Sequence, residues 1–134
     1  MRFDRQTKKL MSEFFYNCHQ KLWDRIIEEM KWRSWAGVSL IKHIFLDRKL
    51  IGGISNRDVC YGCAFARSCR SCFLHLECTL TLTSSWYKIA NNTTIPFNKR
   101  LDAAKKIRNC GWRYVDDDSV YERMFQMIID MTEK

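Results

Sequence analysis

The chain has 134 residues, 46% of them apolar and 13% aromatic, with 23 Lys+Arg against 15 Asp+Glu and a formal charge of +8. That is the size of one compact domain burying roughly two thirds of its unfolded surface, and eight Phe, five Tyr and five Trp are too many rings to leave in water, so disorder is excluded. One Pro and five Gly exclude collagen-like and linker-rich chains, and no run of eighteen apolar residues marks a membrane span.

The N-terminal stretch MRFDRQTKKLMSEFF lacks the apolar core and cleavage site of a signal peptide, which gives a cytoplasmic expectation. From there, Met11, Phe15, Cys18, Leu22, Ile26 and Met30 recur at steps of three and four, the stripe of an amphipathic helix. KWRSWAG, residues 31–37, reads as the end of that helix with a Gly stop. Residues 39–50, SLIKHIFLDRKL, suit a helix through Leu40, Ile41, Ile44 and Phe45, although the β-branched content also allows a strand; Gly52 and Gly53 end the segment. Residues 76–83 alternate as a short strand would, and Ser84-Ser85 can cap a short helix through Trp86, Tyr87, Ile89 and Ala90. NNTTIPFN is a loop, after which Asn98 is the predicted N-cap of a helix over 99–109, with Leu101, Ala104 and Ile107 inward and Gly111 as its stop. Asp116, Asp117, Asp118 and Ser119 precede a last helix in which Tyr121, Met124, Phe125 and Ile128 align. No internal repeat breaks this order, so the reading is one small α-rich domain over 1–134: helical over 10–50, a short irregular or β zinc-knuckle segment over 58–80, and helical over 84–132.

The zinc reading comes from the seven cysteines. An odd number without an export signal fits a disulfide framework poorly. Residues 60–72, CYGCAFARSCRSC, place Cys60, Cys63, Cys69 and Cys72 as C-x2-C-x5-C-x2-C, and two such turns supply the four thiolates of a closed, structural Zn2+ site. Arg67 and Arg70 offset its negative charge. The five-residue separation is shorter than zinc-ribbon spacing, so His19 and Cys78 stand as substitute ligands, with an ordinary helix-face histidine as the competing reading of His19. Cys18 and Cys110 read as small core residues, and a redox dithiol, unligated buried thiols or an iron–sulfur cluster are the alternatives for the four cysteines.

Residues 31–113 carry fifteen basic and four acidic groups, whereas residues 114–134 carry two and six. A basic middle attracts polyanions or acidic protein surfaces. At least two of the five Trp should keep a face near the surface, and the mixture of rings and cations suits a nucleic acid and an acidic protein groove equally. The candidate contact residues are Trp32, Arg33, Lys99, Arg100, Lys105, Lys106 and Arg108. No phosphate loop, nucleophile elbow or H-E-x-x-H is present, and His43 and His75 stand apart from any nucleophile pairing, so the reading is not enzymatic.

Over residues 15–110 the chain resembles a family of small zinc-binding proteins encoded by bacteriophages and prophages of Gram-positive bacteria. The resemblance is carried by Cys18-His19-Gln20-Lys21-Leu22-Trp23, the paired Cys60/Cys63 and Cys69/Cys72, Cys78, Ser85-Trp86-Tyr87, and Ala103-Ala104 with Ile107. Family members often place Pro, an acidic residue and Trp after the second cysteine pair, where this chain has Phe73-Leu74-His75. The resemblance implies a protein made in the cytoplasm of an infected bacterial host, in a group where some members are anti-CRISPR inhibitors of the type II RNA-guided effector nuclease. It therefore implies a stoichiometric protein contact with that nuclease, with guide RNA or DNA as a further contact and no membrane partner. The alternative is a sequence-tolerant nucleic-acid-binding phage regulator, and an exposed Trp face leaves a homodimer open.

Overall fold

The computed structural model describes residues 2–46, 86–110 and 115–132. The chain enters its first helix, α1 (Arg5–Trp32), through Asp4, whose carboxylate accepts the Thr7 N–H at 2.7 Å and satisfies one of the orphan donors of the first turn. The helix is about 42 Å long at the α-helical rise. Its buried positions, Met11, Phe15, His19, Leu22, Trp23, Ile26, Ile27, Glu29 and Met30, form a band wider than the predicted stripe, because α1 is covered on more than one side. Cys18 lies at the margin of that band.

The segment after α1 departs from the Gly-stop reading. The helix ends at Trp32, five residues before Gly37, and the Arg33 N–H closes it on the Glu29 carbonyl at 2.8 Å. Gly37 is extended and leads instead into a helical turn, α2 (Val38–Leu40), which widens into a π-helical turn over Ile41–Phe45. What requires glycine there is close approach: a Cβ would stand 2.5 Å from the Asn91 carbonyl oxygen and 2.7 Å from Asn91 Oδ1. The segment beginning at Ser39 is therefore helical as far as Phe45, with Leu46 the last residue described there.

Two helices follow, α3 (Trp86–Asn91) and α4 (Phe97–Asn109), joined by a turn in which Asn92 Oδ1 accepts from both Thr94 N and Thr94 Oγ1. The N-cap of α4 is Pro96 rather than Asn98: the Pro96 carbonyl accepts from the Lys99 and Arg100 N–H groups at 3.0 and 3.1 Å, so the helix begins earlier and Asn98 is exposed. The last helix, α5 (Asp118–Thr132), starts where Asp117 Oδ1 accepts from Ser119 N and Ser119 Oγ. It buries Val120, Tyr121 and Met124. Its entry is tied to α1 by Lys8, 2.8 Å from the Asp118 carboxylate, and this contact holds the Asp118 carboxyl below the usual range. Phe125, predicted inward, sits at the margin against Phe3 with ring centroids 5.5 Å apart.

Among the described residues all five helices contribute to one core, with Trp23, Phe15, Leu22, Ile26, Met30, Ile41, Tyr121 and Met124 among its fully enclosed side chains. About 80% of the described residues are helical and none of them is in a strand. No helix among them is long and apolar enough to cross a membrane. The expected strand over 76–83 and the knuckle over 58–80 lie outside the described residues.

Candidate interaction surface

At the C-terminal end of α1 the inward band stops at Met30, and the next aromatic residues turn outward. Trp32 is 77% exposed and Trp35 64% exposed. Between them, Arg33 Nη1 donates to Glu29 Oε2 at 2.6 Å, and its guanidinium carbon lies 3.9 Å from the centroid of the Phe45 ring. Trp35 meets the same ring edge-on at 6.3 Å. Leu40 and Ile44, both exposed, belong to the same turn of chain. The result is an aromatic edge built around a fixed cation, since Glu29 is itself buried and also takes Arg25 at 2.9 Å.

The α4 candidates divide into two kinds. Arg100 differs from the expectation of a contact residue. It is 5% exposed, and its guanidinium donates to the carbonyls of Ile95 (2.9 Å), Ser34 (2.7 Å) and Ala36 (3.5 Å) while standing over Phe97. Those bonds use the fork geometry of guanidinium to fasten the first turn of α4 to the 34–36 turn. Lys99, Lys105 and Lys106 are exposed, with Lys106 paired to Asp102 at 3.3 Å. Arg108 bonds Asp24 through Nε at 2.8 Å and Nη2 at 3.3 Å, joining α4 to α1. Exposed pairs of this kind are worth about 1 kcal/mol or less and exchange readily.

The other end of α4 rests on His19. Its Nε2–H donates to the Ile107 carbonyl at 2.9 Å, and the Cys110 thiol donates to that same oxygen at 2.9 Å. Tyr16 stacks on the imidazole and donates its hydroxyl to the Cys110 carbonyl at 2.9 Å. Burial lowers the His19 pKa to about 4 against the opposing bond from Ile107, with nearby Arg108 adding to the depression. His19 thus lies buried on the inner face of α1, and its Nε2 is not available to a metal, because that nitrogen holds its proton on Ile107. Burial raises the Cys18 thiol. Among the described residues, no group of three or more His, Cys, Asp or Glu side chains is placed to hold a metal ion. The cysteines proposed as ligands, Cys60, Cys63, Cys69 and Cys72, and the substitute Cys78 lie outside the described residues.

Two features here went unread in the sequence. Arg100 falls on the same inward face as Ala103, Ala104 and Ile107, and that spacing is the signal that places it inside. Glu29 carries no such signal, since it lies between Arg25 and Arg33 like an ordinary exposed charge. No protein-family model, curated protein or solved structure matches the chain.

Proposed function

We propose that this is a non-catalytic binding protein that acts stoichiometrically on a bacterial type II CRISPR effector nuclease in an infected cell. The observation that carries the reading is the aromatic edge: two outward Trp side chains flanking an Arg held by Glu29 and Phe45. Trp and Arg dominate the energetics of protein interfaces, and a cation fixed beforehand loses little entropy on docking. The proposed contact set is Trp32, Arg33 and Trp35; Arg100 serves as the clamp that holds α4 beside the 34–36 turn. The choice of nuclease rests on the resemblance to phage zinc-binding proteins.

A Zn2+ ion held by Cys60, Cys63, Cys69 and Cys72 belongs to the same proposal. Four thiolates in paired C-x2-C turns suit a soft-ligand tetrahedral site, whose contribution is to fold the segment carrying it.

The test is a reconstituted cleavage reaction, with nuclease, guide and target, titrated with the protein at two salt concentrations. Inhibition complete near one protein per nuclease and little changed by salt is the expected result. Trp32→Ala with Trp35→Ala should raise the half-inhibitory concentration by about 30-fold or more, in line with loss of two hot-spot side chains. Unimpaired cleavage by several nuclease orthologues would overturn the assignment.

A further inference from the structure

A second surface, formed by α3, the following turn and α4, has a different chemistry from the aromatic edge. Residues 86–110 contain six basic side chains and a single acidic one, Asp102. Arg100 is buried and Arg108 is bonded to Asp24, but Lys88, Lys99, Lys105 and Lys106 are exposed. At 100° per residue, Asn98, Asp102, Lys105 and Asn109 fall on one stripe of α4 with Lys99 and Lys106 along its flank. All six are exposed, and the face they form has no apolar residue. The opposite face, Ala103, Ala104 and Ile107, is buried, and α4 is backed by α1 and α3.

An exposed helix face of about 20 Å with three lysines and no apolar anchor lacks what a protein hot spot requires. It has what a phosphate backbone requires: unburied cations spaced along a rigid rod, with amide side chains between them. α4 is also the second of two packed helices joined by a short turn, the element order of helix-turn-helix modules. The Lys106–Asp102 pair is solvent-exposed and gives way to a phosphate at small cost.

We infer that the outer face of α4 docks on duplex DNA, with Lys99, Lys105 and Lys106 on phosphates and Asn98 at the base edges. The surface is separate from the aromatic edge, so its fate and that of the nuclease reading are independent.

The experiment is a fluorescence-anisotropy titration of the full chain against a labelled mixed-sequence duplex over a salt series. The expected log–log salt slope is about −3, from three neutralised phosphates. Lys99→Gln, Lys105→Gln and Lys106→Gln together should weaken binding by at least about tenfold at low salt and flatten the slope. A control pair at the start of α1, Arg5→Gln with Lys9→Gln, removes exposed charge elsewhere and should leave the affinity within about twofold. Circular dichroism of each variant verifies that its helices are intact. Absence of duplex binding at the lowest salt, equal losses in the two sets, or retention of binding by the triple variant would each overturn the inference, as would binding confined to single-stranded RNA.

Discussion

His19 on α1 donates from Nε2 to the Ile107 carbonyl in the last turn of α4, 88 residues away. A carbonyl at a helix C-terminus has no intrahelical partner, so a side chain of one helix caps another and sets where the two cross. Because the imidazole is held neutral with a pKa of about 4, below its ordinary 6.5, the unfolded chain binds the proton more tightly than the native one. The stabilisation from neutral His19 is therefore complete above about pH 6.5, declines as the pH falls, and levels off below about 4. The shift corresponds to about 3 kcal/mol. Urea melts at pH 7 and pH 4 for the wild type and His19→Gln test this. The wild type should lose that amount beyond any loss in the variant, and parallel losses would show that His19 is not the titrating group.

Replacing Gly37 by Ala places a methyl group against the Asn91 backbone carbonyl, which cannot swing aside as a long side chain does. Destabilisation of about 1–3 kcal/mol is expected, the range for forced overpacking. A companion Asn91→Ala variant removes the Oδ1 contact, together with its bond from Ser39 N, but leaves the carbonyl. It should not rescue Gly37→Ala in thermal melts. Full rescue would make the side chain the true obstacle.

Arg100→Ala should cost about 2–4 kcal/mol, since it removes a buried cation and strips donors from carbonyls at Ile95, Ser34 and Ala36. Arg100→Lys keeps the charge without the fork and should recover only part of this. Lys99→Gln and Lys105→Gln, both at exposed positions, should shift the melting temperature little. A melting temperature unchanged in Arg100→Ala would return that residue to the surface contacts.

For the metal, protein purified without added zinc should carry about one ion per chain, and Cys63→Ser or Cys69→Ser should lower both the zinc content and the melting temperature. Wild-type zinc and stability in both variants would show that the four-thiolate set is wrong.

The helices whose apolar positions repeat at three and four were legible in the sequence, because that spacing is set by helical geometry whatever the partner. Phe15, Leu22, Ile26 and Met30 in α1, and Tyr121 and Met124 in α5, are buried where the pattern placed them. Two outward Trp residues were expected as well, and Trp32 and Trp35 are exposed. What escaped depends on partners distant in sequence. The inward turn of Arg100 is decided by carbonyls some 64 and 66 residues away, and the need for Gly37 by Asn91. Asn98 reads as the N-cap because its side-chain oxygen suits an isolated cap, yet the Pro96 carbonyl already takes the first N–H groups of α4.

The π-helical turn at Ile41–Phe45 has a consequence for the aromatic edge. A wide turn holds roughly one residue more than an α-helical turn, so it acts as a splice that changes the angular phase of everything after it. Deleting one residue within 41–44 would turn the following side chain back by about 100°. The ring that supports Arg33 and meets Trp35 would then face another direction, and the edge would lose its floor while α1 kept its register.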